Sequence, residues 1–224
     1  MTSLQYFSLA ISPLLLISFV VFLKNKSVLA GFANIRNSMF FGLAGVLLLF
    51  LSSYLIDLEW HGSFHNMRRM AFFVFVVIAF GSELGNFIPM RLISSNFPSC
   101  KGPMEAIIYS IVTGLGFSTV ASVLFAYGIV GQPIENLTLF LFLYPFANIV
   151  FSIALGFFLG MGKLRKNALI DHTTGLFLAT FLHGMFYFSF ITSDIRFFII
   201  TIAGLLIVTA TLLFRAVQLF NKRD

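Results

Sequence analysis

Charge is scarce in this chain. Only 10% of its 224 residues are Asp, Glu, Lys or Arg, against about 25% in an ordinary soluble domain. Hydrophobic residues make up 59%, and the mean hydropathy is +0.99. So little polar surface excludes a water-soluble globule and predicts an integral membrane protein with the lipid bilayer as its solvent. Cysteine is nearly absent as well. The single Cys100 excludes an intramolecular disulfide and a Cys-rich metal site. The formal charge of +6 does not point to nucleic acid, because the basic residues scatter over loops and form no stripe. A basic stretch before the first apolar run is missing, and so is an A-x-A cleavage site. Lys24 and Lys26 follow that run instead. The first run is therefore read as a retained helix, not a signal peptide.

What is present is length in the apolar runs. Crossing about 30 Å of hydrocarbon takes about 20 apolar residues in a helix. Seven runs qualify, at approximately 4–23, 38–56, 70–92, 104–129, 137–161, 174–193 and 197–219. Their unbroken apolar character excludes the alternation of a β-barrel. The expectation is an all-α, polytopic bundle of about seven transmembrane helices, with residues 1–224 forming one membrane domain. Counting Lys and Arg orients it. An external N-terminus puts eleven of the fourteen on the inner side and leaves Arg68, Arg69 and Arg196 outside. The positive-inside rule favours that arrangement, with a cytoplasmic C-terminus. Arg68 and Arg69 are expected to cap the third helix at head-group level. Asn136-Leu-Thr138 is a formal glycosylation sequon on an outer loop, too close to the membrane to carry weight.

Acidic residues number only eight, and one of them is misplaced by ordinary rules. Glu83 lies within the apolar run from Met70 to Met90. A carboxylate in hydrocarbon is costly, so it is paired, hydrated or functional. Glu83 and His183 each lie roughly nine residues from the inner end of their runs, hence at similar depth at about 1.5 Å per residue. They are expected to face each other across the bundle. Asn86, Asn148 and Ser152 are the other polar groups at hand, and the amides are read as interhelical glue. Gly81 with Gly85, and Gly156 with Gly160, form G-x-x-x-G pairs that let helices approach closely. His61 and His65 share an i,i+4 face near the outer surface. No third ligand is evident there beyond Asp57 or Glu59, so interfacial histidines are the expectation.

The order of residues between Gly81 and Phe188 carries a family resemblance. Ser82-Glu83-Leu84-Gly85-Asn86 lines up with a Glu-Glu-x-x-Lys motif. Glu105 stands four before Tyr109, and Gly116-Phe117 follows after seven more. Ala121 and Ser122 occupy the Glu-Asn of a Gly-Phe-x-x-x-Glu-Asn motif. Asn148 sits where a His precedes Gly-Phe-x-Leu-Gly, here Gly156 to Gly160. Leu182-His183-Gly184 opens a Leu-His-Gly-x-x-Asp/Asn motif that ends here in Tyr187. In this order and register the segment 81–188 resembles the PrsW family of intramembrane proteases. Framework positions Tyr109, Gly116 and Phe117 match, and Glu105 stands where the family usually has Asp. Ser82, Asn86, Ala121, Ser122, Asn148 and Tyr187 are departures. CAAX-type proteases are set aside, since their Arg after the Glu pair and their paired His motifs are missing. A rhomboid Gly-x-Ser-x-Gly is also missing.

The resemblance implies a peptidase, a hydrolase whose glutamates and histidines activate water in the membrane. Such hydrolysis needs a base and a group to stabilise the oxyanion. Of five such family positions, two Glu in the first motif, a later Glu and two His, this chain keeps Glu83 and His183. A metal wants at least three protein ligands. Glu83 and His183 make two and Asn148 is a poor third, so no cofactor is expected and metal binding stays open. The leading expectation is a pseudoprotease in a bacterial inner membrane. It would bind or regulate the transmembrane segment of a client protein, with Glu83 and His183 as a remnant catalytic site. The alternatives are an active endopeptidase using Glu83 and His183, and a small proton- or cation-coupled transporter with Glu83 as carrier.

Overall fold

The structure is a computed structural model that describes residues 2–26, 32–59, 66–96, 100–165 and 167–222. Among these residues every regular element is a helix. We number them α1 (Ser3–Lys26), α2 (Phe32–Glu59), α3 (67–96), α4 (Pro103–Ala126), α5 (Leu137–Leu164), α6 (Ala168–Thr192) and α7 (Ile195–Asn221). All seven are long and apolar enough to cross a membrane. The chain is an all-helical bundle of the membrane type.

Several helices outrun the apolar stretches that announced them. α6 begins at Ala168, and its first turn carries the buried Asp171, paired with Arg165 at 3.4 Å. Hydrogen bonding along the backbone continues past the hydrocarbon edge, where polar side chains are welcome. The start of α3 also differs from expectation. Asn66, not Arg68 or Arg69, is the cap, and its side-chain oxygen accepts the Arg68 N–H at 2.9 Å. A short carbonyl side chain satisfies an orphan N–H directly, which a cationic donor cannot do. Asn136, read above as part of a sequon, likewise caps α5 by accepting the Leu139 N–H.

α4 and α5 pack along each other at the centre. α2 lies against α4 and α3, and α6 against α5 and α3. α1 and α7 are peripheral, and α7 presents Ile199, Ile200, Leu206 and Ile207 outward. In lipid no hydrophobic force pulls helices together, so close backbone contact has to do it. The expected glycine pairs supply that contact. A Cβ on Gly85 would strike the backbone carbonyl of Gly45 in α2. One on Gly156 would come within 2.7 Å of the Ile107 Cα in α4.

α3 is not uniform. Met67–Phe72 and Gly81–Asn96 are α-helical, but Phe73–Phe80 between them is a π-helix. There the hydrogen bonds reach back five residues, which widens the helix and rotates everything beyond it. Two serines bond carbonyls in the second half of the wide segment. Ser52 Oγ donates to Val77 O at 3.0 Å, and Ser82 Oγ donates to Ile78 O at 2.7 Å. Glu83 is the third residue after the π-helix ends.

Candidate functional site

Glu83 and His183 meet in the bundle interior. Glu83 Oε1 and His183 Nδ1 are 2.8 Å apart, and the two residues are 1% and 0% exposed. The pairing expected from matched depth is present. α3 brings the carboxylate just past its π segment, and α6 brings the imidazole. Gly184 lets α6 lie close there, since a Cβ on it would strike the Phe75 ring of the π segment.

α5 walls the pair on a third side, through residues the sequence did not single out. The Phe151 ring stacks on the His183 imidazole at 4.6 Å between centroids, 14° from parallel. Tyr144 lies 5.9 Å from the same imidazole, and its phenol is within electrostatic reach of Glu83 and Asn148. Asn148 donates its amide to the Tyr144 carbonyl at 3.0 Å, one turn back in its own helix. It therefore bonds within α5, and the interhelical amide bond expected of it does not form. Among the described residues, the buried His183 Nε2, Tyr144 hydroxyl, Asn148 Oδ1 and Asn86 Oδ1 have no hydrogen-bond partner. No signal separates Tyr144 or Phe151 from the chain's other 5 Tyr and 30 Phe. Only the fold distinguishes them.

The other positions named in the resemblance, matching or departing, serve the scaffold. Ser82, fully buried, bonds back to the Ile78 carbonyl of the π segment. Ala121 and Ser122 are buried in α4, and Ser122 Oγ finds no partner. Glu105 belongs to the first turn of α4, and Tyr109 is buried one turn on. Phe117 is core, and Gly116 lets α4 approach α2, a Cβ there lying 2.7 Å from Met39 O. Tyr187, one turn from His183, turns outward from the pair. Its hydroxyl accepts the Gln132 N–H at 2.9 Å and so ties the α4–α5 connection to α6.

The chain matches no protein-family model, no curated protein and no solved structure. What the site can do therefore rests on its own geometry.

A carboxylate bonded to Nδ1 fixes the ring orientation and leaves Nε2 as the free nitrogen. That is the arrangement in which a carboxylate orients a histidine base. Among the described residues, no three His, Cys, Asp or Glu side chains gather as a metal site requires. Glu83 and His183 offer two donors already bonded to each other. His61 and His65 lie outside the described residues, as does Trp60 beside them. None of the three cavities described in this bundle opens on the pair.

Proposed function

We propose that this chain is a PrsW-like intramembrane protease homologue without peptidase activity, acting in a bacterial inner membrane. It holds or regulates a client protein through that protein's transmembrane segment. The observation that carries this reading is the 2.8 Å bond between Glu83 and His183, both shut away from the surface. The base and its orienting partner are retained. Peptide hydrolysis also needs a water, a scissile carbonyl and an oxyanion donor placed between them. Phe151 and Tyr144 occupy the flank of the imidazole instead. Ser82 and Ala121 stand where the resemblance calls for further carboxylates.

The active reading draws on His183 Nε2, which has no hydrogen-bond partner among the described residues. One assay separates the two. Purified chain is reconstituted with a single-span client, and products are followed by mass spectrometry. The expected result is no cleavage above the level of Glu83→Ala, with the client still co-purifying. Cleavage that disappears in Glu83→Ala would overturn the proposal and make the pair a working base.

A further inference from the structure

At the end of the bundle toward which α3 and α5 run, a cavity of about 630 Å³ opens between α3, α5 and α6. Its volume is that of small-molecule sites, about 300–1,000 Å³. Its polar lining is basic: Arg91 from α3, Lys163 from α5 and His172 from α6. Among the described residues, no carboxylate lines it. Asp171, next to His172 in α6, is buried and paired with Arg165. Phe87, Ile88 and Leu92 complete the wall, and Ile88 and Leu92 face outward toward lipid.

The geometry points to a binding site for the phosphate head group of an anionic phospholipid. Arg91 has no ion-pair partner among the described residues, although it stands close enough to His172 for their charges to interact. Arg91 and Lys163 are the two cations of the lining. Lys163 Nζ donates to the Cys100 carbonyl at 2.8 Å, which aims the ammonium and leaves two of its three N–H bonds for a ligand. Gly162 makes the room: a Cβ there would come within 2.5 Å of His172 Nε2. The depth is right as well. Arg91 lies eight residues beyond Glu83, or about 12 Å at 1.5 Å per residue. His172 lies eleven residues before His183, or about 16 Å. Both distances approach the half-thickness of the hydrocarbon, about 15 Å, so a mid-bundle Glu83–His183 pair puts the cavity at head-group level. Basic pockets between membrane helices at that level suit anionic head groups. A free phosphate would satisfy the cations but would leave Ile88 and Leu92 uncovered, whereas a lipid lays its acyl chain there.

The test uses the full chain in detergent with phosphatidylglycerol and phosphatidylcholine added together, read by native mass spectrometry. Phosphatidylglycerol is expected to be retained over phosphatidylcholine. Arg91→Gln should weaken its retention about fivefold, the value of about 1 kcal/mol per cation near a membrane surface. Lys163→Gln should do the same or more. Arg215→Gln, far along α7, should leave retention unchanged, and the unfolding midpoint of Arg91→Gln should match the parent. Equal retention of the two lipids, or an Arg215→Gln effect equal to that of Arg91→Gln, overturns the site. Displacement of phosphatidylglycerol by inorganic phosphate at matched concentration overturns the lipid assignment. None of these outcomes depends on whether the chain cleaves or holds a client.

Discussion

Among the described residues, Glu83 and His183 are each other's only side-chain hydrogen-bond partner, and that sets what each is worth. Removing one leaves the other buried and unsatisfied, which costs about 1–3 kcal/mol and more when the orphan is charged. Removing both, with apolar groups of similar volume, is often neutral. The expected pattern is therefore a coupled one. Glu83→Ala and His183→Leu should each lower stability by about 2–3 kcal/mol. The double variant Glu83→Met/His183→Leu should recover most of that. Reversible unfolding in detergent checks it, and simple additivity of the two losses would deny the coupling. The pair was legible in the sequence because polar groups in apolar runs are few and each demands a partner. Depth alone then matched them. Phe151 and Tyr144 were not legible, because an aromatic among so many aromatics carries no mark of its neighbour. Asn148 was legible as a polar group but not in its bonding, since a local carbonyl in α5 competes with any partner across the bundle.

Among the helices, the sequence marked α3 and α5 as places of close crossing, because glycine at four-residue spacing is the signature of one, while only the structure names α2 and α4 as the partners. It did not mark the π segment. Phe73–Phe80 reads FVFVVIAF, with no polar residue to report which face turns inward. The wide segment rotates Glu83 relative to an all-α course, and Ser52 and Ser82 hold it by bonding its Val77 and Ile78 carbonyls. Ser82 thus has a structural duty at the position where the resemblance would have a carboxylate. The crossing itself makes a sharp contrast between two glycines. Gly85→Ala drives a methyl into the Gly45 carbonyl, and backbone cannot step aside as a flexible side chain can. Its expected loss is about 1–3 kcal/mol, as for overpacking. A Cβ on Gly204 in α7 meets nothing within 4 Å. Gly204→Ala should be neutral or gain up to about 1 kcal/mol from helix propensity. The same unfolding measurement reads both, and equal effects would mean that α2 and α3 do not cross at these residues.

For the molecule as a whole, the distribution of charge fixes a direction that the helices by themselves leave open. Eleven of the fourteen Lys and Arg residues fall on one side when the N-terminus is outside. That same side collects the inner ends of α3 and α5 and the start of α6, and with them Arg91, Lys163 and His172. It also collects Cys100, a buried thiol whose carbonyl anchors Lys163. Each of these placements suits a cytoplasmic face: cations are retained there, anionic lipid is met there, and a free thiol survives there. The orientation can be read with single thiols in a Cys100→Ala background, using sealed right-side-out vesicles and a membrane-impermeant maleimide. Thr2→Cys, exposed at the start of α1, should label before the vesicles are opened. Lys222→Cys, exposed at the end of α7, should label only afterwards. The reverse order would turn the bundle over. It would set the basic cavity against the outer leaflet and put Arg68, Arg69 and Arg196 on the retained side, an arrangement the charge count opposes.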